Sequence, residues 1–245
     1  MATPTLLLTG AAGHVGSLLR RHWAGRYRLR LADIAPVAGL APHEEYLPFD
    51  MTQPADCSRA CANIHTVVHL AADAGSEDFF GSLLPRNIVG PYNLLEAAVA
   101  AGCQRFIFTS SIYAVRGHGP HPPITPERPV HPQGLYGASK CWGEALARVY
   151  AGRQGLSCIV VRLGNPTFDP QGDWDPEAPS YMLSPRDTAQ LFARCVDLQG
   201  VEFAIVHGSS RHRHPWLDLD STCQLLGYQP EDGTALSPGP NQDPV

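Results

Sequence analysis

Thr5-Leu6-Leu7-Leu8-Thr9-Gly10-Ala11-Ala12-Gly13-His14-Val15-Gly16 runs from an apolar stretch through three spaced glycines into the start of a helical pattern. A continuous apolar run reads as a strand covered on both faces. Gly10 permits a tight turn, Gly13 lets backbone N–H groups approach a ligand, and Gly16 lets the following helix sit close to the strand. The helix N-terminus behind them offers unsatisfied N–H groups and the positive end of its dipole, which suits phosphate. Strand, glycine triplet and helix in this order predict a dinucleotide-binding turn, and His14 and Val15 count with Gly10, Gly13 and Gly16 as its contacts.

The same rhythm continues along the chain. Apolar runs at 5–9, 28–32, 46–49, 65–71, 105–109 and 158–163 alternate with helical patterns at 14–24, 54–62, 82–101 and 136–153. That alternation predicts βαβ units and an α/β fold, a Rossmann-type doubly wound parallel sheet of order 3-2-1-4-5-6 with room for a seventh strand. A helix near 185–198, a strand at 203–207 and a helical piece near 215–226 complete it. At 245 residues the chain suits one NAD-binding domain, with 165–237 contributing a small substrate lobe and 238–245 a disordered tail. Residues 112–133 and 165–181 are rich in Pro and Gly. Each follows the C-terminal end of a strand, where ligands of open α/β sheets bind, so both are expected to be substrate loops.

Asp33 closes the second run, where a carboxylate meets the adenosine ribose hydroxyls and repels a 2′-phosphate. NAD is therefore expected rather than NADP. Asp50, after the third run, is a weaker candidate for the adenine amino group. The net charge of −5 leaves no basic field for nucleic acid or an anionic membrane surface. Seven cysteines, an odd number without paired C-x-x-C units, fit a reducing compartment. With no basic leader and no long apolar span, a soluble, cytoplasmic protein is expected. No metal is expected: Cys57 and Cys61 read as buried on one helix face, and His118, His121 and His131 as loop residues without zinc spacing.

Tyr136-Gly137-Ala138-Ser139-Lys140 follows the first long loop, and a spacing of four puts phenol and ammonium on one helix face. A phenol is a poor base at neutral pH until positive charge stands beside it, and Lys140 supplies one such charge. Ser111, at the end of the fifth run, can hydrogen-bond the substrate oxygen that Tyr136 deprotonates.

Together, Gly10/Gly13/Gly16, Asp33, His69-Leu70-Ala71-Ala72, Ser111 and Tyr136-x-x-x-Lys140 resemble the extended short-chain dehydrogenase/reductase family, the NAD-dependent epimerases and dehydratases. The resemblance implies Ser111, Tyr136 and Lys140 as catalytic residues, Tyr136 and Lys140 also touching the cofactor. It further implies that Leu70, Ala71 and Ala72 line NAD, that Asn87 supports the site and that Asn165 approaches the nicotinamide end. Within that family Asp33-Ile34-Ala35-Pro36, Gly134 to Cys141, Glu144 and Met182-Leu183-Ser184 look like the uronate dehydrogenases. These carry Asn-His after the serine, and an arginine before Met-Leu-Ser for the sugar carboxylate. Here Ile112-Tyr113 and Tyr181 stand in those places and become the substrate-binding candidates with Ser111. Losing a charged bidentate grip costs an anionic substrate ~2–3 kcal/mol. A replacement cation would come from Arg116, Arg186, or Arg211 with Arg213; otherwise the substrate is a neutral aldose or carries its anion elsewhere.

The implied activity is NAD-dependent oxidation of a small free sugar or sugar acid at C1 to a lactone. An epimerase or dehydratase that uses NAD transiently, and a non-catalytic NAD-binding protein, are the alternatives. Pairing through the two long helices makes a homodimer an expectation.

Overall fold

The computed structural model describes residues 4–167, 175 and 177–234. Seven parallel strands form the main sheet: β1 (Thr5–Thr9), β2 (Arg28–Asp33), β3 (Glu44–Pro48), β4 (Thr66–His69), β5 (Arg105–Ser111), β6 (Ser157–Leu163) and β9 (Phe203–Gly208). Their order, β3-β2-β1-β4-β5-β6-β9, is the expected one extended by a seventh strand. Between β6 and β9 a two-residue pair, β7 (Asn165–Pro166) with β8 (Met182–Leu183), lies outside the main sheet.

Side-chain alternation along each strand divides the core into two layers. Leu6 and Leu8 of β1, Ile107 of β5 and Ile159 of β6 face α1 (His14–His22) and α5 (Pro185–Asp197). Leu7, Phe106, Phe108 and Val160 point the other way, toward α2 (Pro54–Cys61), α3 (Gly90–Ala100) and α4 (Gly134–Tyr150). Both faces are covered, which is why these strands read as unbroken apolar runs.

Most boundaries fall within a few residues of expectation, and the larger departures are these. The single helix expected over 82–101 is a π-helical stretch, Phe79–Val89, continued by α3. Pro85 lies inside it and has no N–H to give a regular ladder, and the Asp78 carboxylate caps its start at Gly81 N–H. α4 begins at Gly134, two residues before Tyr136, and ends at Tyr150. The helical pattern near 215–226 yields only α6 (Asp220–Leu226), because 215–217 is extended and bridges Ser180 to Pro215 and Ile124 to Leu217. Those bridges tie both Pro-rich loops together over the C-terminal end of the sheet. Ile112, Val115, Ile124 and Leu217 form a small apolar cluster there, with Tyr181 and Trp216 against it. The expected tail, 238–245, and part of the second loop lie outside the described residues. Among those described, no helix is long and apolar enough to cross a membrane.

His69 in β4 and His207 in β9 are buried in this frame, and each has Nε2 without a partner among the described residues. Burial holds both imidazoles down to about 3. The unfolded chain takes up these protons near pH 6.5, whereas the folded chain refuses them until about pH 3. The stability present above pH 6.5 is therefore lost as pH falls through that window, at roughly 1.4 kcal/mol per pH unit for each histidine. Urea unfolding between pH 7 and pH 5 should show this slope, and His207→Gln should flatten it by one histidine's share. An unchanged slope in that variant would remove His207 from the account.

Candidate active site

The turn after β1 has the shape its glycines require. Gly10 sits at φ +70, and a Cβ there would lie 2.8 Å from the Ala71 nitrogen. At Gly16 a Cβ would come within 2.4 Å of the Gly10 carbonyl oxygen, so the approach of α1 to the turn leaves no space for a side chain. α1 starts at Gly13 with no side-chain cap, which leaves its first N–H groups to face the cleft. That cleft has a volume of about 630 Å³. Gly10, Gly13, His14, Val15 and Gly16 line it together with Asp33, Ile34, Phe49 and Asp50 and with Leu70, Ala71 and Ala72.

The Asp33 carboxylate accepts hydrogen bonds from Ala12 N–H (2.9 Å) and Ala35 N–H (2.9 Å), which fixes its place at the end of β2. Asp50 spends one carboxylate oxygen on its own turn, taking the Thr52 N–H and hydroxyl at 2.9 and 2.7 Å. His14 hydrogen-bonds the backbone of Thr167, and burial lowers its imidazole. An uncapped helix N-terminus, a carboxylate one strand away and a cleft of this size suit a dinucleotide such as NAD.

Beyond the cleft, β5 and α4 bring the second group of residues together. The Lys140 ammonium is buried beneath Tyr136, donates to the Thr109 carbonyl at 2.9 Å and lies 5.6 Å from the phenol ring centroid. Burial pushes it down to about 8. Tyr136 is pushed up to about 12 by burial, and a hydrogen bond with Ser111 pulls it partly back. The Ser111 oxygen accepts the Tyr113 N–H at 3.2 Å. Asn87, buried at the end of the π-helical stretch, hydrogen-bonds both backbone groups of Asp73 at 2.9 Å and reaches the Ser139 hydroxyl at 3.1 Å. It thereby joins the loop after β4 to the turn of α4 between Tyr136 and Lys140.

The other sequence candidates fall in different surroundings. Ile112 is 2% exposed and packed in the loop cluster, so its side chain is core. Tyr113 is half exposed, and its ring stands edge-on to Tyr136 at 5.9 Å. Tyr181 stacks edge-on with Trp216 at 5.0 Å. Asn165 is exposed at the start of β7, with its amide 3.5 Å from the Met182 sulfur. Of the arginines weighed for an anion, Arg186 pairs with Asp232 and Glu231, Arg213 pairs with Glu177, and Arg211 is exposed. Arg116 instead stands among rings, 5.0 Å from the centroid of Tyr113, 5.4 Å from Tyr181 and 5.5 Å from Trp216.

Beneath the site lies a buried ion pair that no spacing along the chain announces. Glu144 and Arg162 meet at 2.9 Å, and Ser110 donates to the same carboxylate at 2.6 Å. Trp216 also escaped notice, since it lies far along the chain from every motif.

A family model described as NAD dependent epimerase/dehydratase family matches residues 6–175. Uronate dehydrogenase of Pseudomonas putida is 35% identical over 236 residues, 94% of this chain and 84% of its own length. An NAD-dependent glucose-6-phosphate dehydrogenase of Haloferax volcanii is 33% identical over 250 residues, 94% of both chains. The crystal structure of a tyrosine-to-alanine mutant of uronate dehydrogenase from Agrobacterium tumefaciens, complexed with NAD, superposes with a TM-score of 0.86 at 33% identity, covering 95% of this chain and 86% of that one. By the family match over most of its length, and by relatives of this identity and coverage, the chain belongs to the NAD-dependent epimerase/dehydratase family of extended short-chain dehydrogenases/reductases.

Proposed function

We propose that the protein oxidises a small free sugar or sugar acid at C1, giving a lactone and NADH. The observation that carries this is Lys140 held 5.6 Å from the Tyr136 ring centroid, with Ser111 hydrogen-bonded to that tyrosine, in a fold whose cleft after β1 suits NAD. The names of the relatives, uronate and glucose-6-phosphate dehydrogenases, agree with it.

Gly10, Gly13 and the N-terminus of α1, with His14, Val15 and Gly16, would hold the pyrophosphate. Asp33 would take the ribose hydroxyls, Asp50 the adenine end, Leu70 to Ala72 the opposite wall, and Asn165 the nicotinamide end. When bound, NAD supplies the hydride acceptor for the carbon being oxidised. Ser111 orients the substrate hydroxyl, leaving it one hydrogen bond from Tyr136, which takes its proton. Tyr136 is a working base only when positive charge besides that of Lys140 stands near it, so proton removal is tied to occupancy by the oxidised cofactor. The Thr109 carbonyl fixes the Lys140 ammonium in place, and Asn87, through the Ser139 hydroxyl, steadies the turn that carries both side chains.

A homodimer and a cytoplasmic setting belong to this reading. Phe80, Tyr92, Trp142 and Val149 expose apolar surface on the π-helical stretch, α3 and α4, and the seven cysteines are all free.

The test is a panel of free aldoses, uronates and aldose phosphates scored for net NADH, on protein sized by light scattering, which should give twice the chain mass. Stoichiometric NADH with one class of sugar is expected. An isomerised sugar without net NADH would make it an epimerase, because a transient cofactor returns its reducing equivalents.

A further inference from the structure

We propose that Arg116 is the specificity-determining group for an anion on the substrate, a carboxylate or phosphate ester borne by the sugar carbon remote from C1. This rests on the sugar-oxidation reading and names the substrate class that reading leaves open.

Arg116 follows the short turn after Ser111, and its guanidinium is one ring removed from the Tyr136 phenol: the cation lies 5.0 Å from the Tyr113 centroid, and Tyr113 lies 5.9 Å from Tyr136. Those two distances keep the guanidinium within about 11 Å of the Tyr136 ring, so a hexose with C1 at the phenol can turn its distal substituent toward Arg116. Among the described residues no carboxylate pairs with it, whereas Arg162, Arg186 and Arg213 are all paired. A guanidinium among three aromatic rings is attracted to their faces and is partly screened from water, yet the rings accept none of its five N–H groups as a carboxylate would. Its planar donor edge therefore remains for a two-oxygen anion, which arginine binds with two parallel hydrogen bonds.

Trp216 completes the seat, its ring edge-on to Tyr181 and 5.5 Å from the guanidinium. Tyr181 then serves the site through its ring, as part of the seat for the cation, and not as the substrate's own donor.

The experiment compares wild type, Arg116→Ala and Arg116→Lys with D-glucuronate, D-glucose 6-phosphate and D-glucose under saturating NAD⁺. Wild type is expected to prefer one anionic sugar, and the carboxylate and phosphate arms identify which. Arg116→Ala should raise KM for that sugar roughly 30-fold or more, with kcat within about threefold and KM for D-glucose unchanged, and Arg116→Lys should recover part of the loss. A wild type that prefers D-glucose, or an Arg116→Ala effect equal on charged and neutral sugars, overturns the proposal. Should no sugar yield NADH, the sugar-oxidation reading fails by itself, and calorimetric titration of D-glucuronate and D-glucose 6-phosphate into NADH-loaded protein still decides Arg116. Binding that disappears in Arg116→Ala supports it; binding that persists, or that wild type lacks, overturns it.

Discussion

Tyr136→Phe is expected to lower turnover by roughly 10²–10⁴, the usual worth of a positioned general base, while the dissociation constant for NAD stays within about threefold. The split follows from the geometry. The phenol lies beyond the cleft lined by Gly10, Asp33 and Ala71, so removing its oxygen takes away a proton acceptor and little cofactor contact. On the proposed reading, Lys140→Ala should differ by losing both turnover and NAD affinity, because one ammonium would both support the phenolate and touch the cofactor. Burial holds Tyr136 at about 12 without ligands, above any working pH, so the wild-type oxidation rate should rise with pH across the neutral range as the deprotonated fraction grows. In Tyr136→Phe that dependence should vanish. Turnover by Tyr136→Phe at near wild-type rate between pH 6 and pH 9 would show that this tyrosine is not the base.

The sheet and the glycine turn are legible in the sequence because both depend on short-range rules. An unbroken apolar run next to three spaced glycines carries strand, turn and helix in twelve residues, and Leu6 and Leu8 against Leu7 already contain the two layers of the core. Tyr136 and Lys140 were legible for the same reason, being one helical turn apart. Contacts made across the fold were not. Nothing near Ile112 distinguishes a substrate contact from a residue packed on Leu217, more than a hundred positions later. Arg116 stood as one of several arginines, and only its approach to Tyr181 and Trp216 from distant loops separates it from Arg186 and Arg213, whose carboxylate partners were equally invisible. Pro85 was visible throughout, yet periodicity alone gave no sign that the chain would wind around it as a π-helix.

Glu144→Ala should be the most destabilising single change near the site, costing roughly 3–5 kcal/mol, because it leaves the Arg162 charge buried without its counter-ion. Both side chains are almost wholly inaccessible, at 5% and 2% exposure, and the carboxylate receives three donors: Arg162 Nε at 3.0 Å, Arg162 Nη2 at 2.9 Å and the Ser110 hydroxyl at 2.6 Å. Arg162 also donates to the Pro126 carbonyl at 3.1 Å, so the pair fastens β5, β6 and α4 to the loop that carries Tyr113 and Arg116. For a chain of this length the loss corresponds to a fall in Tm of roughly 6–20 °C. Replacing both partners, as in Glu144→Met with Arg162→Met, should recover most of it, since the desolvation cost of two charges disappears with their attraction. Activity should not recover in parallel. Ser110 precedes Ser111 in β5, and in the double variant its hydroxyl loses the Glu144 acceptor that anchors this end of the strand, so on the proposed reading of Ser111 kcat should fall even as stability returns. A Glu144→Ala protein melting within about 2 °C of wild type would mean that solvent reaches Arg162 and that the pair is not the fastening its burial implies.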